Sequence, residues 1–187
     1  MPAYKTDKDT LLVRAMQVFR SQGYHASSMA DLAAACGVQK AHLYYYFPGG
    51  KEDLMNHVLE AVHTYFKERI MVYAWDEERS PEERLAQLSA QLYKVFVRNQ
   101  GGCIMGNTTL EVAHLDPAPV FVARVKAYFD DMLACLAHVF AQRHAPELAR
   151  TKAQTAIQDI QGGIMLMQLY NDPSFFAAAL QRMQEAY

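Results

Sequence analysis

Apolar residues return every third or fourth position from one end of this 187-residue chain to the other, and no alternating β-branched run lasts more than a few residues. That period belongs to helices with one buried face, so the chain is expected to be all-α, with glycines and prolines dividing it into about nine helices. The first is expected from about Lys5 to Gln22, with Leu11, Ala15, Val18 and Phe19 on one face and Gly23 as its stop. Ser27 or Ser28 caps the second, which Gly37 ends after two turns, and the third runs from Gln39 to Tyr46 before Phe47-Pro48-Gly49-Gly50. A long helix starts near Lys51, carries Leu54, Val58, Val62, Phe66 and Ile70, and ends around Trp75. Ser80-Pro81-Glu82-Glu83 is a helix start, with a cap, a proline at the first position and acids against the dipole. That helix reaches about Asn99. A shorter segment follows over Cys103–His114, then long helices from Asp116-Pro117 to about His144 and from Pro146 to Tyr170, then a last one after Pro173.

Residues 28 to 47 have the form of a helix-turn-helix. Ala33 is small where two helices cross, Gly37 permits the turn, and Leu43 plugs the core. The second helix is otherwise made of Gln39, Lys40, His42, Tyr44, Tyr45 and Tyr46, more hydrogen-bonding side chains than solubility requires. A helix that reads the major groove needs that composition.

The stretch Phe19-x3-Gly23-Tyr24-x2-Ser27-Ser28-Met29-x2-Leu32-Ala33-x3-Gly37-Val38-x4-Leu43-Tyr44-x-Tyr46-Phe47-Pro48, followed by Lys51-Glu52-Asp53-Leu54, resembles the N-terminal domain of the TetR family of transcriptional regulators. The FPGGKE sequence and the later Gly102-Cys103-x2-Gly106-Asn107-x3-Glu111 segment resemble one of its subgroups. The resemblance implies a helix-turn-helix DNA-binding domain over 1–50 and a ligand-binding and dimerisation domain over 51–187. It further implies a homodimer on a palindromic operator of double-stranded DNA, acting as a repressor that a small-molecule effector releases. Ser28, Tyr44, Tyr46 and Lys51 would touch phosphates, and Gln39, Lys40 and His42 would read bases. Ala41 and His42 depart from the residues common at those positions, so base preference does not carry over.

Net charge is only −2, and residues 1–55 hold six Lys or Arg against five acids, so contact with nucleic acid must be local rather than a general basic field. The last long helix pair offers dimerisation stripes: Phe121, Val125, Phe129, Met132 and Leu136 on one helix, Ile157, Ile160, Ile164 and Leu169 on the other. Gly162-Gly163 suits a close helix approach.

Cys103, Asn107 and Glu111 are spaced to share a helix face. One reading makes Asn107 and Glu111 polar anchors of an effector pocket walled by Tyr93, Phe96, Phe129, Met165, Met167 and Tyr170. The alternative makes Cys103 a redox or electrophile sensor, its thiol acidified at a helix start. A third possibility is a small buried hydrophobe.

The seven histidines are scattered, no nucleophile elbow or phosphate loop is present, and the three cysteines lack metal spacing. Neither enzyme nor metal nor cofactor is expected. No apolar stretch approaches the roughly 20 residues that span a bilayer, and the first ten residues lack a signal-peptide core, so a cytoplasmic location is expected.

Overall fold

The structure, a computed structural model, describes residues 7–98 and 102–187. Nine α-helices and one 3₁₀ segment make up its regular elements, and among the described residues there is no strand. They are α1 (Lys8–Gln22), α2 (Met29–Cys36), α3 (Lys40–Tyr46), α4 (Gly50–Arg69), the 3₁₀ turn Met71–Trp75, α5 (Pro81–Arg98), α6 (Ile104–Val112), α7 (Val122–Phe140), α8 (Pro146–Tyr170) and α9 (Ser174–Glu185). None is long and apolar enough to cross a membrane among the described residues.

Local chemistry explains most of these limits. Asp7 accepts the Thr10 amide and so starts α1, while Lys5 and residues 99–101, on which expected helix ends were placed, lie outside the described residues. Ser80 and Glu83 exchange hydrogen bonds at the head of α5, the Ser80 N–H donating to Glu83 at 2.8 Å and the Glu83 N–H to Ser80 Oγ at 3.2 Å. α4 stops at Arg69 instead of continuing to Trp75, because the chain tightens there into the 3₁₀ turn that buries Met71 and Ala74. α7 begins at Val122, five residues after the expected Pro117. Pro119 lies between, and a residue that precedes proline is driven out of helical backbone, which disfavours helix at both Asp116 and Ala118.

The described residues pack as two compact units. One comprises Met1–Val62 with Ile104–Val125, the other His63–Cys103 with Lys126–Tyr187. In the first, Leu11, Ala15 and Phe19 of α1, Leu32 and Cys36 of α2, Leu43 of α3, Phe47 and Leu54 form a core that α2, packing on α1 and α3, closes. In the second, α8 packs on α9 and α9 on α5, burying Leu88, Leu92, Phe96, Ile160, Ile164 and Phe176. The apolar stripe expected to make the α7 dimer face is used inside the chain: Phe121, Val125, Met132 and Leu136 are all buried. Of the α8 stripe, Ile160 and Ile164 are buried as well, while Leu169 is 71% exposed.

Candidate nucleic-acid interface

The trihelical head is built on two turns. Between α2 and α3, Gly37 adopts φ +69°, ψ +30°, a left-handed conformation that side chains disfavour, and the amides of Gly37 and Val38 close back on Ala34 and Ala33. Arg14 of α1 secures the same corner by donating to the Cys36 carbonyl at 2.8 Å. At the start of α2, Ser28 and Asp31 form a reciprocal cap: the Asp31 N–H donates to Ser28 Oγ, and both the Ser28 N–H and its hydroxyl donate to Asp31 Oδ2 at 2.9 and 2.6 Å. Those donors, the hydroxyl foremost, hold the Asp31 carboxyl below its ordinary value.

α3 turns one residue inward and the rest outward. Leu43 is fully buried, whereas Gln39, Lys40, Ala41, His42, Tyr44 and Tyr45 are exposed. Gln39 is the N-cap but its side chain makes no capping bond, so its amide is available to something outside the helix. His42 stacks on Tyr46 with ring centres 5.3 Å apart, and the Lys40 ammonium lies 5.9 Å from the centre of the Tyr44 ring. Tyr45, 79% exposed, is the most prominent aromatic on the helix and was not singled out as a contact from sequence. The signal was present: Tyr45 lies two positions from Leu43, which in a helix places it on the opposite side from the core.

Two of the residues expected to touch phosphate have partners within the chain. The Ser28 hydroxyl is directed to Asp31. Lys51 Nζ donates to the carbonyls of Tyr24 at 2.8 Å, Ser27 at 3.0 Å and His25 at 3.4 Å, and sits 4.4 Å from the centre of the Tyr24 ring. Phe47 is fully buried, with the Lys8 ammonium 5.5 Å from its ring centre and His57 against its edge.

The expected effector residues divide between the two units, Asn107 and Glu111 in the first and Cys103, Phe129 and Met165 in the second. Cys103 is 4% exposed, Asn107 is exposed, and Glu111 accepts the backbone amides of Tyr24 and His25 in the head. Met165 is 59% exposed. Phe129 does line a small apolar cavity, with Leu92, Phe96, Tyr128, Met132, Ile157, Ile160 and Gln161, of about 10 Å³, room for about one water molecule. Its polar edges are Gln161 and the phenol of Tyr128. Burial pushes that phenol well above its usual range, and the thiols of Cys103 and Cys135 add to the effect. Beside it His63 and Lys67 both reach Asp131 Oδ2 at 3.0 Å. Met167 and Phe96 line a second groove, with Val97, Gln168, Asn171 and Pro173.

An all-α chain whose N-terminal helices present a short, polar, aromatic-rich helix over a rigid two-turn base is a DNA-binding transcriptional regulator of the helix-turn-helix class. Residues 11–58 match the family described as bacterial regulatory proteins, tetR family. Over 168 residues the chain is 29% identical to the uncharacterized HTH-type transcriptional regulator YxaF of Bacillus subtilis (strain 168), covering 85% of this chain and 83% of that one. Over 108 residues it is 36% identical to the HTH-type transcriptional repressor ComR of Escherichia coli (strain K12), covering 56% and 51% respectively. Among solved structures, a TetR transcriptional regulator from Legionella pneumophila matches with a TM-score of 0.85 at 21% identity over 98% of each chain, a likeness of fold. Residues 11–58 thus form a domain of the tetR family, and the relatives that the chain resembles along most of its length are HTH-type transcriptional regulators.

Proposed function

We propose that this protein is a ligand-responsive repressor that binds a palindromic operator as a homodimer and leaves it when a small molecule binds the C-terminal helices. The observation that carries the reading is the face of α3: six exposed positions, 39–42 and 44–45, on either side of one buried leucine, with Gln39, Lys40 and His42 free of helix-capping duties. Gln39, Lys40 and His42 are assigned to base edges, and Tyr44, Tyr45 and Tyr46 to the sugar-phosphate flank. Repression is supported by the names of relatives such as ComR.

Dimerisation is assigned to α8, where Leu148, Met165, Leu169 and Tyr170 are exposed and Gly162 has nothing within 4 Å of where a Cβ would stand. The effector site is assigned to the apolar packing around Phe96, Tyr128, Phe129 and Gln161, where the present cavity of about 10 Å³ has to open to admit a ligand, in place of Asn107 and Glu111. Burial of Cys103 supports this reading over a thiol sensor, since a thiol with 4% exposure is poorly placed to meet an electrophile. α4 contributes residues to both compact units, so a shift of that helix is the route by which the cavity would alter the spacing of the two readers.

The test is a salt-dependent binding assay on DNA taken from immediately upstream of the protein's own coding region. Binding that weakens with salt, and a changed sequence preference in Lys40→Ala, are expected; no binding, or an unaltered preference, would overturn the assignment.

A further inference from the structure

We infer that Glu111 is a positioning residue for the reading head, an inference that rests on the DNA-binding reading above. The turn between α1 and α2, residues 23–28, is the platform from which α2 starts, and α3 packs on α2. That turn is gripped from two sides. The Tyr24 N–H donates to Glu111 Oε1 at 3.1 Å and the His25 N–H donates to Oε2 at 2.9 Å, so one carboxylate takes two successive amides. The carbonyls of Tyr24, His25 and Ser27 face the other way and receive the Lys51 ammonium. Each residue of the grip supplies a full charge to backbone dipoles of the opposite sign, and bonds of that kind are about twice as strong as neutral ones.

The fit is close. Gly23, at φ +81°, would place a Cβ 2.7 Å from Glu111 Oε1, so only a residue without a side chain leaves room for the carboxylate. The turn therefore has little freedom of its own. Its conformation, and with it the direction in which Ser28 launches α2, follows α6, the helix that carries Glu111. α1 also packs against α6, so the carboxylate acts where the two helices already meet. Glu111 touches no DNA; it sets the pose from which α3 does.

Amide hydrogen exchange and operator affinity in the full chain test this together, using Glu111→Ala, Glu111→Gln and the exposed control Leu110→Ala. In Glu111→Ala the amides of Tyr24 and His25 are expected to exchange at least about tenfold faster, with α1 protection over Leu11–Phe19 unchanged, and affinity for the upstream DNA to fall about tenfold. Glu111→Gln keeps one acceptor oxygen and is expected to fall between wild type and Ala in both readouts, which a merely structural role would not produce in affinity measured far below melting. Leu110→Ala, 81% exposed, should change neither. Wild-type exchange at the turn in Glu111→Ala, or faster exchange with unchanged affinity in both Glu111 variants, overturns the inference. If the wild-type protein binds no DNA, the DNA-binding reading fails and the positioning role falls with it, even where exchange at the turn responds; the two failures are thus told apart.

Discussion

Ser28 shows how a single side chain can be claimed by two partners. Its hydroxyl donates to Asp31 and accepts the Asp31 amide, so a phosphate at this helix start must draw the hydroxyl away from a carboxylate. Ser28→Ala should cost about 1 kcal/mol of stability, read as a lower melting temperature. It should also change the response to acid. Asp31 titrates below its ordinary value of 3.8 when folded, so the stability it lends is complete above that value and disappears as pH falls through the lower, folded one. Without the Ser28 hydroxyl the folded value rises toward the unfolded one, and melting curves of the variant should lose less stability than wild type as pH falls below 3.8. Lys51 is the second such residue. With three carbonyls on its ammonium, Lys51→Met should lower thermal stability by about 1–2 kcal/mol, and this loss should precede any change in the salt dependence of DNA binding. Tyr45 is the opposite case, an exposed ring with no core role. Tyr45→Ala should leave stability within about 0.5 kcal/mol while weakening operator binding.

Among the elements, those with chemical punctuation were legible and those without were not. Ser28, Gly37, Ser80 and Pro146 each mark a boundary by a local reason, a cap, a left-handed turn or a fixed φ, and α2, α5 and α8 begin or end there. The sixth helix was legible as a helix, but its role was not. Spacing alone puts Asn107 and Glu111 on one side, yet only tertiary packing decides that Asn107 faces solvent while Glu111 meets a turn 86 and 87 residues earlier in the chain. The α7 stripe misled for the same reason: an apolar face says that something covers it, and here its own chain does. The adjacent glycines of α8 separate the two cases. A Cβ on Gly163 would stand 3.0 Å from that of Ala179 and 3.1 Å from the Phe175 carbonyl, so Gly163→Ala should destabilise the α8–α9 packing by about 1–3 kcal/mol. On Gly162 it would meet nothing within 4 Å. Gly162→Ala should raise the intrinsic stability of the helix by about 0.5–1 kcal/mol yet weaken self-association in sedimentation equilibrium, because the open side is the one assigned to a second copy. Unchanged association would place the two-fold contact elsewhere.

For the whole molecule, a net charge of −2 sets the terms on which DNA can be held. Attraction from a distance is weak, so affinity has to come from a few contacts made correctly and simultaneously, and pose counts for more than charge. That gives weight to the composition of the first compact unit, in which residues 104–125 pack with residues 7–62. The unit is discontinuous in sequence, and Glu111, Phe121 and Arg124 belong to it as much as α3 does: Phe121 packs edge-on to Tyr24, and Arg124 Nε donates to Asn56 at 2.9 Å. Portability is where this matters. Grafting residues 1–50 of this chain onto the body of a distant relative, to lend it a new operator, would transplant the letters that read the DNA without the hand that steadies them; a chimera that also imports the 104–125 segment is the one that should keep its grip.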